Sequence, residues 1–374
     1  MLISAQAFPP ASGGIEDLMH GLAAHAAAAG IPVRVLADAR KGDAAFDAAA
    51  PFEVQRFRGL RPLRRRLKAR RAARIEAAPG AGPEADGLLF ADSWKSIEHL
   101  PLRRPPGARR AIFAHGNEYP ETGRKIARVR EALRRADVIF AVSSDTAARL
   151  APCLPTGGDA PEVIIAPPPV WPLPEPTAED MAWAGAQWTG PAPRLLALCR
   201  LIPLKGLDMS IAALAAGPEG TLVIAGDGPD RERLEGQAKA ADLGARVRFL
   251  GRVDGARKTA LLRAAEVFMQ PGRRDGRQRE GFGISYLEAG LEGAPAICGA
   301  EGGAPEAVLD GRTGLVVDGT SQEAVSGALA KLCTDPALRA RLGDAAREHA
   351  RAQLWPARID ALLARARGAA EDAA

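Results

Sequence analysis

No apolar stretch in this 374-residue sequence approaches the roughly 20 residues needed to cross a bilayer. The opening MLISAQAFPP has no basic leader and breaks at two prolines, so it reads as a first strand rather than a secretory signal. A cytoplasmic protein is therefore expected. The four cysteines, Cys153, Cys199, Cys298 and Cys333, are scattered with no C-x-x-C pair and no clustered histidine, which argues against a zinc site or a disulfide framework. D-x-D is absent as well. No metal and no other cofactor is expected.

Acidic residues are missing from one long stretch. Arg56 to Arg74 holds ten basic residues and no carboxylate, so the formal charge of +5 belongs to this segment and the rest of the chain is net acidic. Such a stretch suits anionic lipid headgroups, a phosphorylated acceptor, or simply a solvated arginine-rich helix. Phe57 is its only ring, and nucleic-acid binding, which uses interleaved aromatic platforms, is not expected.

Strands and helices alternate along the chain. LISAQAF, IPVRVLA, GLLFADS, RRAIFAHG, ADVIFAVS and VIIAPPPV read as strands of a first half, with a helix over Gly14 to Ala29. Proline crowds Ala166 to Pro193 and marks a boundary. The pattern restarts in RLLALCRL, TLVIAGDG, RVRFLGRV, AEVFMQP, APAICGA and TGLVVDG, and the residues from Pro336 are helical, interrupted at Pro356. The expected organisation is a first α/β domain over 1–165, a linker over 166–193, a second α/β domain over 194–350, and a final helix over 351–374 packing back on the first. Two doubly wound sheets facing each other across a cleft would bind ligand at the carboxyl ends of their strands.

Four turns at strand-to-helix junctions carry charge or glycine. Ser12-Gly13-Gly14 precedes a helix, where freed N–H groups can meet an anion. Arg200, Lys205 and Gly206 form R-x4-K-G before another helix, a cationic setting for a diphosphate. E-G-F-G-x4-E places Glu280 before Gly281, Phe282, Gly283 and Ile284, with Glu288 eight residues on. G-G-x-P-E ends at Glu306, which reads equally well as a helix-dipole carboxylate. His115, in A-H-G at a strand end, is a cleft candidate or a structural histidine.

The order and spacing of these motifs, with AGDGPDRERLE at Ala225 to Glu235 and GRVD at Gly251 to Asp254, resemble the retaining glycosyltransferases of family 4, which have the GT-B fold. The resemblance implies transfer of a hexose from a UDP- or GDP-linked donor to an acceptor hydroxyl, and the basic segment Arg56 to Arg74 favours an acceptor that is lipid-linked or part of a cell-envelope glycan. It implies that Arg200 and Lys205 neutralise the donor diphosphate and that Glu280 and Glu288 hold hydroxyls of the sugar and the ribose. Amides of Phe282, Gly283 and Ile284 would meet phosphate or sugar, and the backbone at Arg252 and Val253 the base. Gly14 would close over the diphosphate and His115 would orient a donor hydroxyl. The arginine-rich loop Gln270 to Arg279 before Glu280 departs from the family's pattern and is a further candidate to touch phosphate or acceptor. Rival readings are a sugar-nucleotide epimerase of the same fold, a nicotinamide dehydrogenase resting on the lone G-x-G at Gly226, and a non-catalytic, membrane-associated binding protein resting on Arg56 to Arg74.

Overall fold

The computed structural model describes residues 1–11, 13–78, 87–158 and 160–369. Ser12 of the glycine turn and residues 370–374 of the expected final helix lie outside the described residues. The chain divides into two compact units. One comprises residues 1–169 together with the C-terminal helix from Trp355, and the other residues 170–354.

In the first unit seven strands form one parallel sheet: β1 (Leu2–Ala5), β2 (Arg34–Asp38), β3 (Glu53–Phe57), β4 (Leu88–Ala91), β5 (Arg109–Ala114), β6 (Val138–Ala141) and β7 (Glu162–Ile165). The central strands are continuous apolar runs because helices cover both faces of a parallel sheet. β1, β4 and β6 are buried at every position. Phe90, Phe113 and Phe140, from three successive strands, cluster as a triangle with ring centroids 5.7–6.1 Å apart. β3 was not among the expected strands. It is an edge strand of sequence EVQRF with no fully buried residue, so it lacks the apolar run that marks the others.

The sheet order is β3-β2-β1-β4-β5-β6-β7. Its direction of growth reverses between β1 and β4, which opens a crevice at their carboxyl ends. The C-terminal helix Trp355–Arg367 closes this unit from another side. Trp355 is fully buried and stacks on His25 at 5.3 Å. It lies so close to Gly21 that a Cβ there would fall 2.1 Å from the indole. Pro356, expected to interrupt a helix, sits in the first turn of this one, where its missing N–H costs nothing.

The basic segment splits into two populations. Within helix Arg61–Glu76, Lys68 is 1% exposed, pairs with Asp38 at 2.6 Å and donates to the Ala5 carbonyl at 2.7 Å. Arg64 also pairs with Asp38, Arg56 grips Asp47, Arg65 donates to Gln6 and Arg71 to Gln55. Arg58, Arg61, Arg66, Arg70 and Arg74 stay exposed.

The second unit repeats the plan with β8 (Arg194–Leu198), β9 (Thr221–Ala225), β10 (Val247–Gly251), β11 (Val267–Gln270), β12 (Ala296–Gly299) and β13 (Gly314–Val317). All its pairings are parallel, in the order β10-β9-β8-β11-β12-β13, so the reversal falls between β8 and β11. Residues 166–193, expected as linker, contain a helix, Ala178–Gly185, started by a reciprocal capping box between Thr177 and Asp180. Arg257 of helix Gly255–Ala264 covers Trp183 at 5.0 Å, and Arg263 of the same helix pairs with Glu175. Much of the proline-rich segment is thus bound to the second unit.

Replacing Trp355 by Ala empties a filled site and should cost about 3–5 kcal/mol. Urea denaturation of Trp355→Ala is expected to show that loss. A cost under about 1 kcal/mol would mean that the last helix does not hold the first unit together.

Candidate functional site

The second sheet's crevice is built by two loops. After β8 the chain runs through Arg200 and a single 3-10 turn, Pro203–Lys205, into helix Leu207–Ala215. After β11 it runs through the arginine-rich loop and E-G-F-G into helix Ile284–Leu291. Gly206 joins them. Its φ is +67°, and a Cβ there would sit 1.9 Å from the Pro271 carbonyl oxygen, so only glycine lets the loops meet.

Lys205 and Glu280 meet across this junction, Nζ to Oε2 at 2.5 Å, each about one-sixth exposed. Gln270, fully buried at the end of β11, donates to the same oxygen at 3.2 Å and to the Tyr286 hydroxyl. That hydroxyl in turn donates to the Gln270 carbonyl at 2.7 Å. Burial presses the Lys205 ammonium towards its neutral form, but the charge and hydrogen bond of Glu280 outweigh it and raise its pKa above the ordinary lysine value. Burial also pushes the neighbouring Cys199 thiol up to about 12, so it is an inert neutral group rather than a nucleophile. Gly302, the next loop's glycine, backs onto Glu280: its φ is +77°, and Gly303 N donates to the Glu280 carbonyl at 2.9 Å.

The other expected residues of the second unit stand on its loops and helices. Arg200 is exposed in the β8 loop and has no hydrogen bond or ion pair among the described residues. Phe282 is buried, while Gly283 and Ile284 open helix Ile284–Leu291, whose N-terminus has no side-chain cap. Its first amides are therefore available to an anion. Glu288, a turn into that helix, pairs with Lys258 at 2.5 Å. Val253 lies half-buried in the loop after β10, the strand at the sheet's edge, with Arg252 exposed beside it.

Gly14 and His115 belong to the first unit. Gly14 is the exposed first residue of helix Gly14–Ala28, which also lacks a side-chain cap. His115 follows β5, and its Nε2 lies 2.9 Å from the Asp92 carbonyl oxygen. Nε2 therefore carries a proton and donates it to that carbonyl. Asp92, at the end of β4, is a hub: its Oδ2 accepts from the amides of Gln6 and Ala7 at 2.6 and 3.0 Å, and its Oδ1 from the Ser96 hydroxyl at 2.6 Å. It thus fixes both the loop leading to Gly14 and the ring of His115.

Asp92, Lys258 and Gln270 were not singled out from the sequence. Their partners are distant along the chain, and no local motif marks them.

The glycosyl transferases group 1 family model matches residues 187–349, and the Glycosyltransferase Family 4 model matches residues 12–164. The chain is 33% identical to a "GDP-mannose-dependent alpha-(1-6)-phosphatidylinositol monomannoside mannosyltransferase" of Mycobacterium tuberculosis, over 98% of this chain and 96% of that protein. A protein of the same description from Mycolicibacterium smegmatis is 37% identical over 67% of this chain and 68% of its own length. Among solved structures, Anabaena Alr3699/HepE in complex with UDP and glucose superposes with a TM-score of 0.73 at 20% identity, covering 98% of each chain. Sucrose-phosphate synthase from Thermosynechococcus elongatus does so with 0.72 at 22%, covering 96% of each. These two likenesses are of fold, the GT-B fold, with two parallel-sheet α/β domains.

If Lys205 and Glu280 act on one another, their effects on stability are not additive. A denaturation cycle of Lys205→Met, Glu280→Gln and the double variant is expected to give a coupling energy of about 0.5–3 kcal/mol. Simple additivity would remove the pair as the site's organising contact.

Proposed function

Because the chain belongs to the family 4 glycosyltransferases of group 1 and is itself a glycosyltransferase, we propose that it moves a hexose, mannose by likeness to its relatives, from a GDP-linked donor to a hydroxyl of a glycolipid. The observation that carries this reading is the Lys205–Glu280 pair in the crevice between β8 and β11, beside the open N-terminus of helix Ile284–Leu291.

In this reading Arg200 and Lys205 bind the diphosphate, with the amides of Phe282, Gly283 and Ile284. They stabilise the charge that grows on the departing nucleoside diphosphate, in the manner of an oxyanion site. Lys205 must then turn from Glu280 towards phosphate, which releases Glu280 to accept from hydroxyls of the transferred sugar. Glu288, oriented by Lys258, accepts from the ribose diol, and the backbone at Val253 meets the base. Gly14 and His115 keep the roles that the family implies. The acceptor oxygen bonds to the anomeric carbon on the face from which the phosphate leaves, the anomeric carbon–phosphate oxygen bond breaks, and the acceptor's proton passes to that phosphate. Configuration is retained. The charge on the leaving group is met by side chains and amides, without a metal ion.

Arg200→Ala is expected to lower kcat by about 10²–10³. GDP-mannose is expected to raise the melting temperature more than UDP-glucose, since only ligands bound to the folded state stabilise it. Equal shifts, or none, would overturn the proposed donor. Donor consumed at the same rate with and without acceptor would mark an epimerase or hydrolase instead.

A glycolipid acceptor requires access to a membrane. No helix among the described residues is long and apolar enough to cross one. Leu60, Leu63 and Leu67 are 79%, 53% and 38% exposed, recur every three or four residues, and share the outer face of helix Arg61–Glu76 with Arg66, Arg70 and Arg74. We propose that this face lies on the anionic inner surface of the cytoplasmic membrane, where each arginine contributes about 1 kcal/mol. Leu63→Glu/Leu67→Glu and Arg66→Glu/Arg70→Glu should each weaken binding to anionic vesicles at least tenfold in a sedimentation assay. Unchanged partitioning of both would remove this face from the proposal.

A further inference from the structure

The first unit has its own crevice, between β1 and β4, and the side chains gathered there are not explained by donor binding. After β4 the chain turns at Asp92 and Ser93 into the short helix Trp94–Ile97. Trp94 is 1% exposed, and its indole N–H has no acceptor among the described residues. Three cations surround the ring: Lys95 Nζ at 5.7 Å from its centroid, Lys125 Nζ at 5.9 Å and the Arg128 guanidinium at 5.7 Å. A fourth, Arg65, reaches in from helix Arg61–Glu76, its Nε donating to Gln6 at 3.2 Å in the loop after β1.

The nearby carboxylates are already engaged. Asp92 is taken by the amides of Gln6 and Ala7 and by the hydroxyls of Ser93 and Ser96. Glu118 accepts from the amide of His115. Glu98 is gripped by Arg128 through two hydrogen bonds, with Arg65 and His99 each 4.0 Å away. Lys125 has no carboxylate partner among the described residues and donates to the Glu118 carbonyl at 3.4 Å. Lys95 has no hydrogen bond or ion pair among the described residues, although it is half-buried. Burial first, then the charges of Arg65 and Lys125, hold its ammonium below the ordinary lysine pKa, with Glu118 and Asp92 compensating only in part. Arg65 and Lys125 thus repel the Lys95 ammonium across that arrangement. An anion placed among Arg65, Lys95 and Lys125 would remove the repulsion.

We propose that Arg65, Lys95 and Lys125 form a phosphate-binding subsite in the first unit, which holds a phosphate group of the acceptor. This deepens the proposed function and rests on it, with the first unit, which does not carry the Lys205–Glu280 crevice, taken as the half that binds the acceptor. One planar fork and two point charges suit a tetrahedral oxyanion approached from several sides. The group can be a free phosphomonoester or the phosphodiester of a lipid headgroup, since both present the same oxygens.

The test uses the full chain at constant ionic strength, with inorganic phosphate exchanged for chloride and the melting temperature recorded. Phosphate should raise the melting temperature of the wild type saturably. Without phosphate, Lys95→Met/Lys125→Gln should melt above the wild type, because burial and repulsion are relieved, and its phosphate midpoint should be at least tenfold weaker. Lys95→Arg should keep the response. Glycerol 3-phosphate and vesicles of phosphatidylinositol then distinguish the sources. A response to the vesicles alone assigns the lipid diester, and a response to both assigns any phosphate, provided the double variant loses it. Two results overturn the subsite: the same phosphate response in wild type and double variant, or a double variant less stable than the wild type without phosphate, which would make the lysines structural. The shift with GDP-mannose is read in the same plates. Its absence would sink the donor assignment while leaving the phosphate result to stand or fall alone.

Discussion

Where the strand order of the second sheet reverses, a buried-edge ammonium and a carboxylate sit 2.5 Å apart, and much of that unit is arranged to let them do so. Two loops that begin on neighbouring strands must touch, which requires a glycine with positive φ at Gly206 against the Pro271 carbonyl. A third loop must press its backbone on Glu280, which requires another at Gly302. Gln270 and Tyr286 lock the carboxylate from below through a chain of hydrogen bonds. An ion pair so held is poised rather than inert. Glu280 more than offsets the effect of burial on its lysine, so the charge a diphosphate would need is present in the site before any ligand arrives.

The first unit solves a different problem, the placement of many cations with few anions. Helix Arg61–Glu76 turns Arg64, Arg65 and Lys68 inward onto Asp38, Gln6 and the Ala5 carbonyl, so part of the basic segment is a structural clamp on the end of β1. Its outer face combines the remaining arginines with leucines that the fold does not bury. Asp92 organises the crevice between, tying the loop after β1, the short helix after β4 and His115 after β5 to one carboxyl group and its own carbonyl. One residue thus sets the positions of elements more than 80 residues apart.

The parts of this fold that could be read from the sequence share a physical cause. Strands buried on both faces need unbroken apolar runs, so LISA, LLFA and VIFA declare themselves. β3 escaped because an edge strand needs no such run, and EVQRF resembles the charged segment that follows it. The helix Ala178–Gly185 escaped because proline density masked it, although Thr177 and Asp180 carry the spacing of a capping box. Arg200, Lys205, Glu280 and Glu288 were visible because each sits in a glycine-punctuated turn whose spacing is local.

Sequence alone determined the two-sheet α/β plan, the family, and the loops on which the charged residues stand, because periodicity, turn chemistry and motif spacing are properties of neighbouring residues. Only the tertiary structure decided which charges are spent and which are free. Lys258 finds Glu288, Lys68 finds Asp38 and Lys95 finds no carboxylate among the described residues, and the first two pairs depend on elements meeting across 30 residues of chain. The ten basic residues between Arg56 and Arg74 look alike until burial, which no local pattern encodes, separates those that hold the fold from those left to meet a ligand.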